Sequence, residues 1–350
     1  MKMFRWLDTR LPATKYDLAS SGMQPPHTDE LAALLHDHAD SFDYGDAMVQ
    51  FSKTLAGMYG LREENIIAVN GGTEAILLAS WFLGSRCGSL FVPVPEYEPF
   101  IDVPSSLGIG VIQAPVEEVR TRTRNGDGVM LTSPNNPSGT LRDQGALNEV
   151  ILDRPGIYKY VSETYSDFVS MDRVRTIFQG EQNMICSNTL TKFYGLSSLR
   201  LGWIFADPEN IQVIQQVKNK VSHAVSIFSL VAATNALKNR EHYSEVTKRR
   251  ILANRKILAD FLSGIGIDGY EPAMHSSSVF LGYSSRLRSQ DFCTMLLEKT
   301  GVLTMPGEYM GVDNHFRLGY TAPSDILEEG LRLMGEFMAK ESVSLSLWSE

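Results

Sequence analysis

Asn188-Thr-Leu-Thr-Lys-Phe-Tyr-Gly-Leu-Ser-Ser-Leu-Arg-Leu-Gly202 places one lysine, Lys192, just past an apolar strand-like run and surrounds it with hydroxyls. A second cation, Arg200, follows eight positions later. A lysine at the end of a buried strand is taken out of full solvation, and an amine held in that way can serve as a nucleophile. Thr189, Thr191 and Arg200 add hydroxyl donors and a fork-shaped cation, groups that suit a phosphate. The plain alternative is a loop lysine beside a surface arginine, since short motifs often misfire.

Outward from this stretch the chain alternates apolar runs with helical patterns. Candidate strands are 66–69 (IIAV), 89–94 (SLFVPV), 110–114 (GVIQA), 128–133 (GVMLTS), 157–163 (IYKYVSE), 183–188 (NMICSN) and 202–206 (GWIFA). Several are apolar throughout, as strands covered on both faces must be. Between them lie helical patterns at 73–83 and 147–153. That alternation predicts an α/β fold, a large domain around a mostly parallel seven-strand sheet.

Beyond Asp207 the pattern changes to helices opened by Pro208 and at SIFSLVAATNALKN, then a long charged run from Glu241 to about Ser263. Short strands SSVFLGY, VLTMP and HFRLGY follow, and a last helix from Ser324, a plausible N-cap residue. The expected organisation is residues 1–40 as the N-terminal segment of a small domain, 41–225 as the large domain, and 226–350 as the C-terminal part of the small α/β domain. The tail SVSLSLWSE is expected to fray or pack loosely.

Bulk composition excludes several classes of protein. The 350 residues carry 43% hydrophobic and 21% charged residues, ordinary for a globular enzyme. Net charge is −9, with no basic stripe, so neither nucleic acid nor membrane is expected as a partner. Cys87, Cys186 and Cys293 stand far apart without metal-ligand spacing, which points to buried free thiols and no metal site. The N-terminus is interrupted by charges and lacks a signal-peptide core. A cytoplasmic location is the expectation.

Two further loops carry chemistry. Asn70-Gly-Gly-Thr-Glu74 follows a strand and opens a helix, so its glycines and helix N-terminus can receive an anion, with Thr73 capping the helix and touching phosphate. The simpler reading is a glycine turn with a threonine cap. Ser133-Pro-Asn-Asn-Pro-Ser-Gly139 forms a stiff loop at a strand's carboxyl end, where α/β sheets bind ligands. Otherwise it is a rigid turn with no chemical role.

Taken together and in order, these pieces resemble the class I/II aminotransferases of pyridoxal-phosphate fold type I, especially the histidinol-phosphate aminotransferase branch. The matching segments are Gly71-Gly72-Thr73, Pro95-Glu96-Tyr97, Asn136-Pro137-Ser138-Gly139, Thr191-Lys192 and Gly195 to Gly202. The resemblance runs from about Tyr16 to about Lys340 and implies pyridoxal 5'-phosphate held as a Schiff base on Lys192. It implies Tyr97 stacked on the ring, Asn136 and Tyr165 at its phenolic oxygen, and Gly72, Thr73, Thr189, Thr191 and Arg200 at the phosphate. Arg317 of His315-Phe-Arg-Leu-Gly would grip the substrate carboxylate. Tyr44 of Asp43-Tyr-Gly-Asp would reach the partner's phosphate, implying a homodimer with shared sites. The substrates implied are an amino acid and a 2-oxo acid.

One departure bears on the reaction. Family members carry an aspartate, paired with the pyridine nitrogen, three residues before the retained tyrosine. Here Val161-Ser-Glu-Thr-Tyr165 puts Ser162 at that position. A neutral hydroxyl cannot hold a charged pyridinium as a carboxylate does. Two readings therefore stand: an aminotransferase acting on an α-amino acid, or a lyase or cyclase catalysing β-elimination or replacement. Glu163 is discounted as a substitute because adjacent strand residues face opposite sides. A non-catalytic binding protein is a third reading, opposed by the joint retention of Lys192, Asn136, Tyr165, Arg200 and Arg317. A second departure, Leu18-Ala-Ser-Ser-Gly22, weakens the case for an imidazole substrate and resembles the capreomycidine-synthase-type enzymes.

Other residues receive ordinary roles. His27, His36 and His38 read as surface residues, Asp43 and Asp46 as solvated, and Lys248-Arg249-Arg250 as an exposed helix face. Met305 and Met310 read as packing residues near Arg317, with the substrate pocket as the other option.

Overall fold

A computed structural model describes residues 1–36, 43–272 and 275–348. The expectation for His38 lies outside the described residues. The chain opens with α1 (Lys2–Arg10), β1 (Tyr16–Asp17), α2 (Thr28–His36) and α3 (Tyr44–Tyr59). Next come β2 (Ile66–Val69), α4 (Gly71–Gly84), β3 (Leu90–Val94), α5 (Pro99–Ser106), β4 (Val111–Pro115) and α6 (Val116–Arg122). Then β5 (Gly128–Thr132), β6 (Tyr158–Ser162), α7 (Ser166–Val169), β7 (Met184–Thr189) and β8 (Gly202–Ala206) complete a seven-stranded sheet in the order β2-β8-β7-β6-β5-β3-β4. In this sheet β8 alone runs against its neighbours, so the expected mostly parallel sheet is present.

Burial on both faces explains why these strands lack alternation. In β2, Ile67 and Val69 enter one core while Ile66 and Ala68 enter the other. β8 does the same, with Ile204 and Ala206 opposite Trp203 and Phe205. Each Ile or Val among them contributes roughly 1.5–3 kcal/mol when fully buried.

The remaining helices are α8 (Pro208–Val221), α9 (Ile227–Lys238), α10 (Arg240–Gly264), α11 (Ser289–Thr300) and α12 (Ser324–Glu341). They accompany β9 (Ser278–Tyr283), β10 (Val302–Leu303), β11 (Met305–Pro306), β12 (His315–Gly319) and β13 (Leu345–Leu347). A four-stranded sheet runs β11-β12-β9-β13, and β1 pairs in parallel with β10. Gly319 is needed there because a Cβ would lie 1.9 Å from the Ser20 carbonyl oxygen.

Several local expectations are corrected. The tail is not wholly loose, since Leu345–Leu347 pairs antiparallel with β9. Residues 147–153 form only a widened π-helical turn, Glu149–Asp153. Ser324 is the first helical residue rather than the cap, and its hydroxyl donates to Asn254 Oδ1 at 2.7 Å. Thr73 does not cap α4, which begins two residues earlier at Gly71. Cys87 is only partly buried, unlike Cys186 and Cys293. The expected exposed face at Lys248-Arg249-Arg250 is not among these corrections, since Lys248 makes a surface ion pair with the exposed Asp172 of the loop after α7. No helix among the described residues is long and apolar enough to cross a membrane.

Candidate active site

The strands β2, β3, β5, β6 and β7 run in one direction, so the loops at their carboxyl ends meet along one edge of the sheet. Along that edge lies a cleft of about 440 Å³, within the range of small-molecule sites. After β2 it receives Gly72 and Thr73; after β3, Tyr97; after β5, Asn136. β6 delivers Ser162 and Tyr165, and β7 delivers Thr189, Thr191, Lys192 and Arg200. Arg317 enters from β12. Eleven of the twelve residues singled out in the sequence therefore share one cavity. Tyr44 does not. It sits on the first turn of α3, 41% exposed, outside its own chain's cleft.

Lys192 is half-buried, and its Nζ donates to Ser21 Oγ at 3.3 Å. Ser21 Oγ in turn lies 2.8 Å from Tyr165 Oη, so one hydroxyl joins the amine to the phenol. Burial alone would raise the Tyr165 phenol, but the charges of Lys192 and Arg317 outweigh it and hold the phenol below its usual value. Ser21 belongs to the segment read as a departure from the family pattern, and local sequence carried no sign of this contact.

Arg317 is 5% exposed and donates from Nη1 to Asn136 Oδ1 at 2.7 Å and from Nη2 to the Ala19 carbonyl at 2.6 Å. Its Nε is buried with no hydrogen-bond partner among the described residues. Met305 lies directly opposite Arg317 in the β11–β12 register, and it too lines the cleft. Met310 is fully buried packing.

Beneath the cleft a buried network aligns two loops. Glu96 accepts from the Thr132 amide at 2.8 Å, the Thr132 hydroxyl at 2.7 Å and Arg142 Nη1 at 2.7 Å. Thr132 Oγ1 also accepts from the Asn136 amide at 2.8 Å, which ties the loop bearing Tyr97 to the loop bearing Asn136. Neither Glu96 nor Arg142 stands out in the sequence for this role, because a charge pair spanning 46 residues leaves no local pattern.

The donors around the glycine turn form a cradle. Gly71 has φ +75°, and a Cβ there would lie 2.9 Å from Arg200 Nη2, so only glycine lets the guanidinium lie against the turn. With the N-terminus of α4, Thr73, Thr189, Thr191 and Arg200, this edge of the cleft offers donors and no acid, a set that fits a phosphate.

Among the described lining residues there is no Asp or Glu at all. Ser162 Oγ pairs with Thr164 Oγ1 at 2.9 Å. Glu163 turns to the other side of the strand, where it accepts from Thr176 Oγ1 and the Ile177 amide, each at 2.6 Å. Burial pushes its carboxyl up to about 8. Asp167 is engaged by Arg240 at 3.1 Å and Asn188 at 3.0 Å. Among the described residues no cluster of His, Cys, Asp and Glu suits a metal ion.

Comparison with known proteins adds the family. Residues 10–332 match the family "Aminotransferase class I and II". The chain is 27% identical over 311 residues to a histidinol-phosphate aminotransferase of Moorella thermoacetica, covering 84% of this chain and 78% of that protein. It is 24% identical to a valine–pyruvate aminotransferase of Mycobacterium tuberculosis, covering 92% and 89%. Among solved structures, a PLP-dependent aminotransferase from Streptococcus suis superposes with a TM-score of 0.84 at 24% identity, covering 97% of this chain and 99% of that one.

Proposed function

The chain belongs to the class I and II aminotransferases, and from that membership we propose that Lys192 carries the cofactor and works as the base in a reaction on an α-amino acid. The cofactor of such an enzyme is pyridoxal 5'-phosphate, and the family acts on amino acids and 2-oxo acids. The observation that carries the proposal is the convergence of the Lys192 amine, the Tyr165 phenol and the Arg317 guanidinium in one cleft.

Gly72, Thr73, Thr189, Thr191 and Arg200 would hold the cofactor phosphate, Tyr97 would flank its ring, and Asn136 and Tyr165 would meet its phenolic oxygen. When bound, the cofactor supplies an electron sink for the pair left at the substrate α-carbon. Arg317 orients the α-carboxylate with a planar fork that lysine lacks. Lys192 takes the α-proton, with Ser21 and Tyr165 steadying its amine. Tyr44, exposed and outside its own cleft, would complete the phosphate site of a second copy in a two-fold dimer.

Borohydride treatment of the yellow protein should fix a pyridoxyl group on Lys192, read by peptide mapping. Label on another lysine, or none, overturns the assignment. Sedimentation should give a dimer.

A second reading is favoured by the acid-free cleft. With Ser162 in place of a carboxylate, no anion among the described lining residues is available to stabilise a pyridinium. Elimination or replacement at the β-carbon, where electrons leave with the β-substituent, depends less on that charge. Ammonia and keto-acid release from amino acids with a β leaving group would support it over transamination.

A further inference from the structure

The cations lining the cleft already have tasks in the reading above. Lys192 holds the cofactor, Arg200 lies against the glycine turn, and Arg317 is bonded to Asn136 where it would take the α-carboxylate. Among the described lining residues of this chain there is no fourth cation, and no acid. A phosphate ester, a second carboxylate or an ammonium on the substrate side chain would lose hydration there without gaining an ionic partner from these residues.

What the cleft offers instead is an apolar wall. Met3, Phe4 and Leu7 of α1 line it, with Ile76 and Met305. Met305 is paired with Arg317 across β11 and β12, and directly opposed residues of an antiparallel pair project to the same side. The carboxylate anchor and an apolar group therefore stand side by side.

Helix α1 is firmly seated over this wall. Glu98, at the start of α5, accepts the Lys2 and Met3 backbone amides at 2.9 and 2.8 Å, satisfying two donors that a helix start leaves open and placing a carboxylate at its positive end. Trp6 packs 6.1 Å from the Tyr309 ring, and Arg10 donates to Thr294 Oγ1 at 3.1 and 3.3 Å. Phe4 meets Tyr97 edge-on at 6.4 Å. The helix thus spans from α5 beside the seven-stranded sheet to α11 beside the four-stranded one.

We propose that the substrate is an α-amino acid with an apolar side chain, and that α1, through Met3, Phe4 and Leu7, forms the roof of the side-chain pocket. This rests on the assignment of Lys192 and Arg317 made above. It separates this chain from its relatives named for histidinol phosphate and aspartate, and sets it nearer the one named for valine.

The test uses the cofactor-loaded protein and unreactive carboxylates, with binding measured by calorimetry. 4-Methylpentanoate and 3-phenylpropanoate should bind at least about ten-fold tighter than succinate or 3-phosphonopropanoate, the scale of discrimination an apolar pocket gives. Leu7→Asn should remove most of that preference by weakening the apolar ligands more than succinate. Glu98→Gln, which weakens the seat of α1 without touching the cleft, should speed hydrogen exchange of the α1 amides and reduce the preference in proportion. Equal or tighter binding of succinate or the phosphonate overturns the apolar assignment. Equal losses for all ligands in Leu7→Asn overturn the role of α1. In either case borohydride label on Lys192 leaves the underlying reading intact, whereas loss of that label in the wild type removes both.

Discussion

Arg317 and Asn136, 181 residues apart, are joined by a 2.7 Å hydrogen bond from guanidinium Nη1 to the side-chain carbonyl oxygen, and both are almost fully buried. The residue proposed to grip the substrate is therefore held by a residue proposed to touch the cofactor ring. A change at either end should be felt at the other.

Arg317→Lys keeps the charge but loses the fork. Amino-acid affinity should fall by about 2–3 kcal/mol, the scale of a charge-assisted pair, with cofactor loading retained. Titration of the loaded protein with a non-reacting carboxylate measures this. Unchanged affinity in Arg317→Ala would place the carboxylate elsewhere.

Ser21→Ala removes the hydroxyl between Lys192 Nζ and Tyr165 Oη. The half-reaction with an amino acid should slow by roughly five-fold, matching about 1 kcal/mol for one hydrogen bond. Stopped-flow absorbance gives the rate. A variant as fast as wild type would show that Ser21 only fills space.

Ser162→Asp supplies the carboxylate that the cleft lacks. Conversion of bound cofactor to pyridoxamine phosphate should accelerate by about ten-fold or more, and elimination products should decline relative to it. Single-turnover assays on a panel of amino acids separate the two. Rapid, complete conversion by wild type with no elimination products would leave plain transamination as the reaction.

Glu163 gives a pH signature. Its carboxyl is raised from 4.5 to about 8 by burial, so the folded protein holds that proton more tightly than the unfolded chain. The resulting stability is present below pH 4.5 and is lost as pH rises to about 8. Urea denaturation should show wild type losing on the order of a few kcal/mol relative to Glu163→Gln across that window. Parallel pH profiles would mean the carboxylate is stabilised where it sits.

The sequence alone determined the strands of the large sheet and the residues that its loops bring to the cleft. Both are local properties: an apolar run such as Ile66–Val69 reports a strand buried on two faces, and Lys192 stands next to such a run with its hydroxyls already in place. Ser162 as a hydroxyl at the cleft end of β6 was equally legible, because it depends on position along one strand. Caps and ends were less so. Thr73 and Ser324 are good capping residues by type, yet the helices start where packing and loop geometry put them.

Tertiary structure alone decided the contacts between distant segments. Ser21 reaches Lys192 across 171 positions, Glu98 seats the amide of Met3 across 95, and Leu345–Leu347 becomes a strand only because β9 offers a free edge beside it. A single hydrogen bond or edge pairing between remote residues imposes no periodicity on either segment. It exists only once the burial of Leu18, Phe280 and Leu318 has brought the N-terminal segment and the four-stranded sheet together beside the cleft.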